Sequence, residues 1–265
     1  NSTQAATAIS FGTNSLSSDV RLSNNIIIAG TLSGSPTNVT ALNVSSSATS
    51  TLSIFNNLFY DFTVNSVGQI VSSVPGTGFA HTINFYNNTI YNSRIGFTIN
   101  ARTVIKAINN LFSSVTTVAS GTFIAGTDYN ATNNSSIGYT VTGSGNTHDR
   151  VSQTFVFSDE SSDNFHLAVS DSAAKARGLS DPGAGLFSDD IDGATRSGSW
   201  DIGADENDTV DSDAPVISSI ASSTTETTAT ITWTTNELAT STVKYGLNSS
   251  YGTSSTTENT YTSHS

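Results

Sequence analysis

The chain has 265 residues, 35% of them hydrophobic, with neither cysteine nor methionine and a formal charge of −12. No stretch approaches the roughly 18 uninterrupted apolar residues of a membrane-spanning helix, and neither a disulfide framework nor thiolate chemistry is open to it. The charge is uneven: residues 1–150 hold five basic and four acidic side chains, residues 151–265 four and seventeen, so no basic stripe exists to neutralise nucleic-acid phosphates. Ser, Thr, Asn and Gly fill much of the remainder, which favours short strands and turns over amphipathic helices. The Asn/Ser/Thr-rich, lysine-poor composition suits the outside of a cell, and the lack of an initiating methionine fits a processed or excerpted chain.

From the N-terminus, the recurring feature is an Asn-Asn pair between short apolar runs, as in INFYNNTIYNS at 83–93. Aligned on the second Asn of each pair, Asn25, Asn57, Asn88, Asn110 and Asn134 stand 32, 31, 22 and 24 residues apart. Such self-similarity marks a solenoid, and about 22 residues suits one turn of a three-stranded coil. Two residues after that Asn stand Ile27, Phe59, Ile90 and Phe112; three before it stand Leu22, Ile54, Phe85 and Ala107. These columns are the expected stacked interior. A sharp bend repeated in each coil needs a left-handed or bridge-region backbone, which Asn tolerates. Stacked amides about 4.8 Å apart can also donate to one another. The pair is therefore expected to be both corner and ladder, with Asn25, Asn57, Asn88 and Asn110 as the ladder. The surplus residues of the first two spacings fall at 30–50 and 66–80 and read as loops.

From about 151 the pattern changes. SDSAAKARG at 170–178 predicts one short helix, with the N-cap among Ser170–Ser172 and Gly178 at the C′ position. Together with Asn164-Phe165-His166-Leu167, Asp190-Ile191-Asp192-Gly193, Arg196 and Asp201-Ile202-Gly203-Ala204-Asp205-Glu206, this stretch resembles the closing segment of secreted bacterial right-handed parallel β-helix proteins of the pectin-lyase-like class. The resemblance covers roughly 20–207. It implies an all-β chain: a right-handed parallel β-helix over 1–207, with a capping segment from about 151, and then an acidic linker at 208–214. Alternation in TATITWTTN predicts strands around 216–222, 228–235 and 241–246. Trp233 there resembles the core Trp of a fibronectin type III sandwich, so 215–265 reads as an incomplete β-sandwich whose Trp233 and Ile231 face water unless further strands cover them.

The resemblance invites a polysaccharide lyase or glycoside hydrolase, whose chemistry rests on carboxylates, calcium and a base. Between 20 and 150 only Asp61, Asp128 and Asp149 carry carboxylates, and Asp61 and Asp128 fall at different places in the repeat. No catalytic residue is assigned. Arg94, Arg102 and Lys106 crowd into one coil and offer a grip on an acidic glycan, with solvated coil-surface residues as the alternative. Tyr60, Tyr86 and Tyr91 offer a sugar-stacking strip or core packing. Asp190, Asp192, Asp201 and Asp205 are a candidate calcium set; the alternative pairs Arg196 with Asp192 or Asp201, and His166 reads as structural. The expectation is a non-catalytic extracellular structural or adhesive protein that binds a glycan or copies of itself, with a carbohydrate-degrading β-helix as the alternative.

Overall fold

A computed structural model describes residues 5–12, 20–29, 38–45, 48–63, 68–207, 215–248, 250–255 and 258–264. The chain divides into two compact units, Asn1–Asp208 and Thr209–Ser265. The expected linker at 208–214 lies outside the described residues. The protein is all-β, and the one helical element among the described residues is a single 3-10 turn at Glu160–Ser162. No described helix is long and apolar enough to cross a membrane.

The first unit's strands are β1 (Ala5–Phe11), β2 (Val20–Ser23), β3 (Ile26–Ile28), β4 (Asn38–Val44), β5 (Ser50–Phe55), β6 (Leu58–Tyr60), β7 (Gly68–Ser73), β8 (His81–Tyr86), β9 (Thr89–Ile99), β10 (Thr103–Ile108), β11 (Leu111–Thr117), β12 (Gly121–Phe123), β13 (Ala131–Thr132), β14 (Tyr139–Val141), β15 (Phe157–Asp159) and β16 (Asn164–Leu167). One parallel sheet runs β1-β4-β7-β9-β11-β13, with β3 and β6 joining beside β9; a second runs β10-β8-β5-β2. From β5 to β11 the chain visits the two sheets in turn, β6 with β7 acting as one visit. A core cluster joins Phe59, Ile90 and Phe112 of the first sheet to Ile54, Ile83 and Phe85 of the second.

The two apolar columns are in register. Ile27 pairs with Phe59, Phe59 with Ile90 and Ile90 with Phe112; Leu22 pairs with Ile54, Ile54 with Phe85 and Phe85 with Ala107. Parallel strands buried on both faces read as continuous apolar runs. This fits β5, where Ile54 enters the core and its neighbour Phe55 is covered from the other side by Phe187.

Three sequence expectations need correction. The surplus at 30–50 and 66–80 is not simply loop: β4, the start of β5, and β7 lie within it, and β7 pairs with the far half of β9. The eleven-residue β9 does alone what β6 and β7 share, its first part pairing with β6. The positions 30–37, 46–47 and 66–67 lie outside the described residues. SDSAAKARG forms no helix. Asp171 Oδ1 accepts the amides of Ala173, Ala174 and Lys175 as an N-cap would, but Ala176 turns left-handed at φ 53° and gives its amide to Asp201 instead. The third correction concerns the second unit.

There, β17 (Ile217–Thr224), β18 (Ala229–Ser241) and β21 (Glu258–His264) form a three-stranded antiparallel sheet in the order β17-β18-β21, and β19 (Lys244–Tyr245) pairs with β20 (Thr253–Ser254). The strand β21 was not legible in the sequence, and it changes the fate of Trp233. That residue pairs with His264, their rings stacked with centroids 5.2 Å apart, and is partly buried instead of facing water.

Candidate functional site

The second Asn of each pair builds the ladder. Asn25 gives its backbone N–H and its Nδ2 to Asn57 Oδ1 at 3.1 and 3.0 Å. Asn57 does the same to Asn88 at 3.0 Å each, and Asn88 to Asn110 at 3.0 and 3.1 Å. The next rung is Asn130, which accepts both donors of Asn110 at 3.0 and 2.9 Å, not Asn134. The series ends on Asp149, whose Oδ1 accepts the Asn130 amide at 2.8 Å. Asn57, Asn88, Asn110 and Asn130 are fully buried, so each carboxamide holds polar groups that would otherwise be stranded away from water.

The first Asn of each pair makes the corner, a role that the sequence had given only to the doublet as a whole. Asn24, Asn56, Asn87 and Asn109 are left-handed, with φ between 46° and 59°, and Tyr129 takes that place at 60°. Their side chains turn outward and hold residues 179–203. Asn56 Nδ2 donates to Asp189 O at 2.7 Å; Asn87 Nδ2 donates to Asp201 O and Gly203 O; Asn109 donates to Leu179 O and accepts from its amide, both at 2.8 Å. Asn24 Nδ2 donates to Asp190 O, so the expected cap lies along the flank of the stack, bound to four successive corners. Its apolar residues follow the same track. Phe155, Phe157, Phe165 and Ile202 pack on Leu58, Tyr60 and Leu111, while Phe187 and Trp200 pack on Phe55, Tyr86 and Ile108.

Within this flanking segment one cation organises the backbone. Arg196 is buried and reaches Glu206 Oε2 at 3.0 Å through Nη1, Asp189 O at 3.0 Å through Nε, and Asn56 Oδ1, Gly203 O and Ala204 O through Nη2. Its partner is Glu206, not the Asp192 or Asp201 expected from the sequence. Burial lowers its guanidinium from the ordinary value, and Glu206 and Asp190 oppose that shift. Gly203 closes the site at φ 117°, and a Cβ there would meet Thr89 Oγ1 at 2.8 Å. Gly203→Ala is expected to lower stability by about 1–3 kcal/mol through backbone strain and this overlap, measured by urea unfolding; a change under a few tenths would show the corner is not constrained.

The candidate calcium set divides. Asp190 accepts three amides, from Asp192, Ala194 and Glu206, and Asp201 accepts those of Ala176 and Asn207, so all four of their carboxylate oxygens are already engaged. Asp192 and Asp205 instead converge with His166 beside a cavity of 130 Å³. Burial pushes the Asp205 carboxyl up to about 6, against the lowering pull of the Leu167 amide.

The topology separates the basic trio: Arg94 lies on β9 in the first sheet, Lys106 on β10 in the second, and Arg102 just before β10. Arg94 and Arg102 are exposed. Tyr60 and Tyr86 are buried under the flanking segment, and Tyr91 packs on Phe165 with ring centroids 4.3 Å apart. Asp61 and Asn92 form a second left-handed column, joined at 2.6 Å.

Burial also raises the carboxyls of Asp149 and Asp201 above the ordinary aspartate value. The folded state then binds more protons than the unfolded one as pH falls, so stability rises as pH drops from the raised values toward the ordinary carboxylate range. Asp149→Asn keeps the acceptor for Asn130 and removes one such group. It is expected to flatten the rise in melting temperature on acidification from neutral pH in chelator-containing buffer; an unchanged slope would refute the assignment for Asp149.

No protein-family model matches the chain, and no curated protein or solved structure is significantly similar to it.

Proposed function

We propose that the first unit is a right-handed parallel β-helix of the pectin-lyase-like kind serving as a non-catalytic extracellular scaffold. Regular alternation between two parallel sheets and one side-chain ladder crossing successive coils support the solenoid, and parallel crossovers of this sort are right-handed in about 98% of cases. The observation that carries the non-catalytic reading is the placement of the carboxylates. Asp171, Asp190, Asp201 and Glu206 are all buried, and each accepts at least one backbone amide. Carboxylates so held brace a backbone; a general acid or nucleophile needs an oxygen free to meet substrate.

The second unit is read as part of a fibronectin-like sandwich that joins copies of the chain or docks a partner. Every residue of β17 is exposed, including Ile217 and Ile220, and the strand lies at a sheet edge. Open edges of that kind recruit further strands.

The test incubates the full-length gene product with a panel of acidic and neutral polysaccharides, scoring unsaturated ends, reducing ends and retention on the immobilised glycan. Retention or self-association without turnover is the expected result. Turnover that disappears on changing residues within 1–150 overturns the reading and favours the carbohydrate-degrading alternative.

A further inference from the structure

His166 has its ring orientation fixed by Asn164. Asn164 Oδ1 accepts the His166 backbone amide at 3.2 Å, which identifies that atom as the oxygen, and the same oxygen lies 2.5 Å from His166 Nδ1. Since a carboxamide oxygen only accepts, Nδ1 carries a proton, which leaves Nε2 as the ring atom able to ligate a metal ion. Nε2 faces Asp192 Oδ2 at 2.7 Å. A proton on Nε2 bridges the pair as a hydrogen bond, and a metal ion can take the place of that proton as the two side chains move slightly apart.

Asp205 closes the third side. Its side chain belongs to a residue only 7% exposed; Oδ2 accepts the Leu167 amide at 2.7 Å, while Oδ1 has no donor among the described residues. Asp205 therefore keeps one carboxylate oxygen open to a cation. The ligand atoms of His166, Asp192 and Asp205 lie within 4.8 Å of one another and border the 130 Å³ cavity, whose apolar wall includes Leu58, Phe165 and Ile191.

We propose that His166 Nε2, Asp192 and Asp205 bind one divalent transition-metal ion, with Zn²⁺ the best fit. One imidazole and two carboxylates in a three-ligand set suit zinc, whereas calcium asks for six to eight oxygens. The Nδ1–H bond to Asn164 is the outer-shell contact that holds a metal-binding imidazole in place. The ion would staple β16 to the turn at 190–193 and to the run at 201–206, three separate stretches of the flanking segment. Mass action then makes the folded state of that segment more stable as the metal concentration rises.

The experiment uses the whole chain, stripped with chelator and dialysed, with ZnCl₂ as the probe in calorimetric titration and thermal melts. One zinc per chain and a higher melting temperature are expected. Both should be lost in His166→Ala and Asp192→Asn, and affinity should fall about tenfold in Asn164→Ala. Asp192 is the safer variant because its side chain is 59% exposed, so it decides the matter if His166→Ala does not fold. Absence of saturable zinc binding overturns the proposal, as does binding unchanged in Asp192→Asn or an equal melting shift produced by CaCl₂.

Discussion

Replacing Arg196 by methionine is expected to destabilise the first unit by about 3–5 kcal/mol, the range for removing one partner of a buried ion pair. The change strands the Glu206 charge, leaving it only neutral backbone donors such as the Asp201 amide at 2.8 Å. It also withdraws donors from Asn56 Oδ1 and from the carbonyls of Asp189, Gly203 and Ala204. Arg196→Lys keeps the charge but cannot reach acceptors arranged around a planar fork, so it should recover only a minor share of the loss. Adding Glu206→Gln to Arg196→Met should recover more, because no uncompensated charge is then buried. The chain has two tryptophans. In a Trp233→Phe background, denaturant unfolding followed by emission therefore reports Trp200, which packs in the affected segment with Arg196 5.4 Å from its ring. A loss under about 1 kcal/mol for Arg196→Met would show that the segment does not depend on this cation.

The dependence on Arg196 illustrates what the sequence makes legible and what it hides. The Asn doublets and their apolar columns could be read because a stack superposes like residues, and Ile54 beneath Phe85 is a repeat before it is a contact. The separate duties of the two asparagines could not be read, since one letter serves both the left-handed corner and the inward amide. Asn130 was missed because Tyr129 occupies its corner, so no doublet marks it. Asp149 was missed because the last rung needs only an acceptor, which aspartate supplies as well as asparagine. Doublet 133–134 misled for the same reason: Asn133 belongs to another position, accepting the Ser114 amide at 3.1 Å.

The flanking segment was hidden for a different physical reason. Its carboxylates look like a calcium loop in one dimension, because alternating Asp and Gly also suits turns that fold a carboxylate back onto amides. Only the fold shows that Asp190 and Asp201 are consumed in that way, while His166, far off in sequence, meets Asp192. In the second unit, polar TYTSH gave no apolar signal for β21, yet it pairs across Trp233.

Replacing Asn88 by aspartate is expected to destabilise the first unit more than replacing it by alanine, although aspartate is the closer shape. Alanine deletes the acceptor for the Asn57 amide and Nδ2, and the donor to Ile54 O, Tyr86 O and Asn110 Oδ1. At about 1–3 kcal/mol for each buried group left unsatisfied, a loss of several kcal/mol follows. Aspartate restores the acceptor, but its second oxygen then faces two carbonyls and a carboxamide oxygen in a site that is fully buried. The electrostatic repulsion and the desolvation of the charge add to the missing hydrogen bonds. Asp149 shows why an aspartate is tolerated at the end of the same ladder: its Oδ2 accepts the Tyr139 hydroxyl at 2.6 Å, so neither oxygen has to donate. The comparison therefore sets Asn88→Ala, Asn88→Asp and Asn130→Asp side by side in urea unfolding. The expected order of stability is wild type, then Asn88→Ala, then Asn88→Asp. Asn130→Asp should resemble Asn88→Asp, because Asn130 Nδ2 likewise donates to Ala107 O and its new oxygen would lie against Asp149. If either aspartate variant proves as stable as wild type, the amides are not the donors that hold these strands in register.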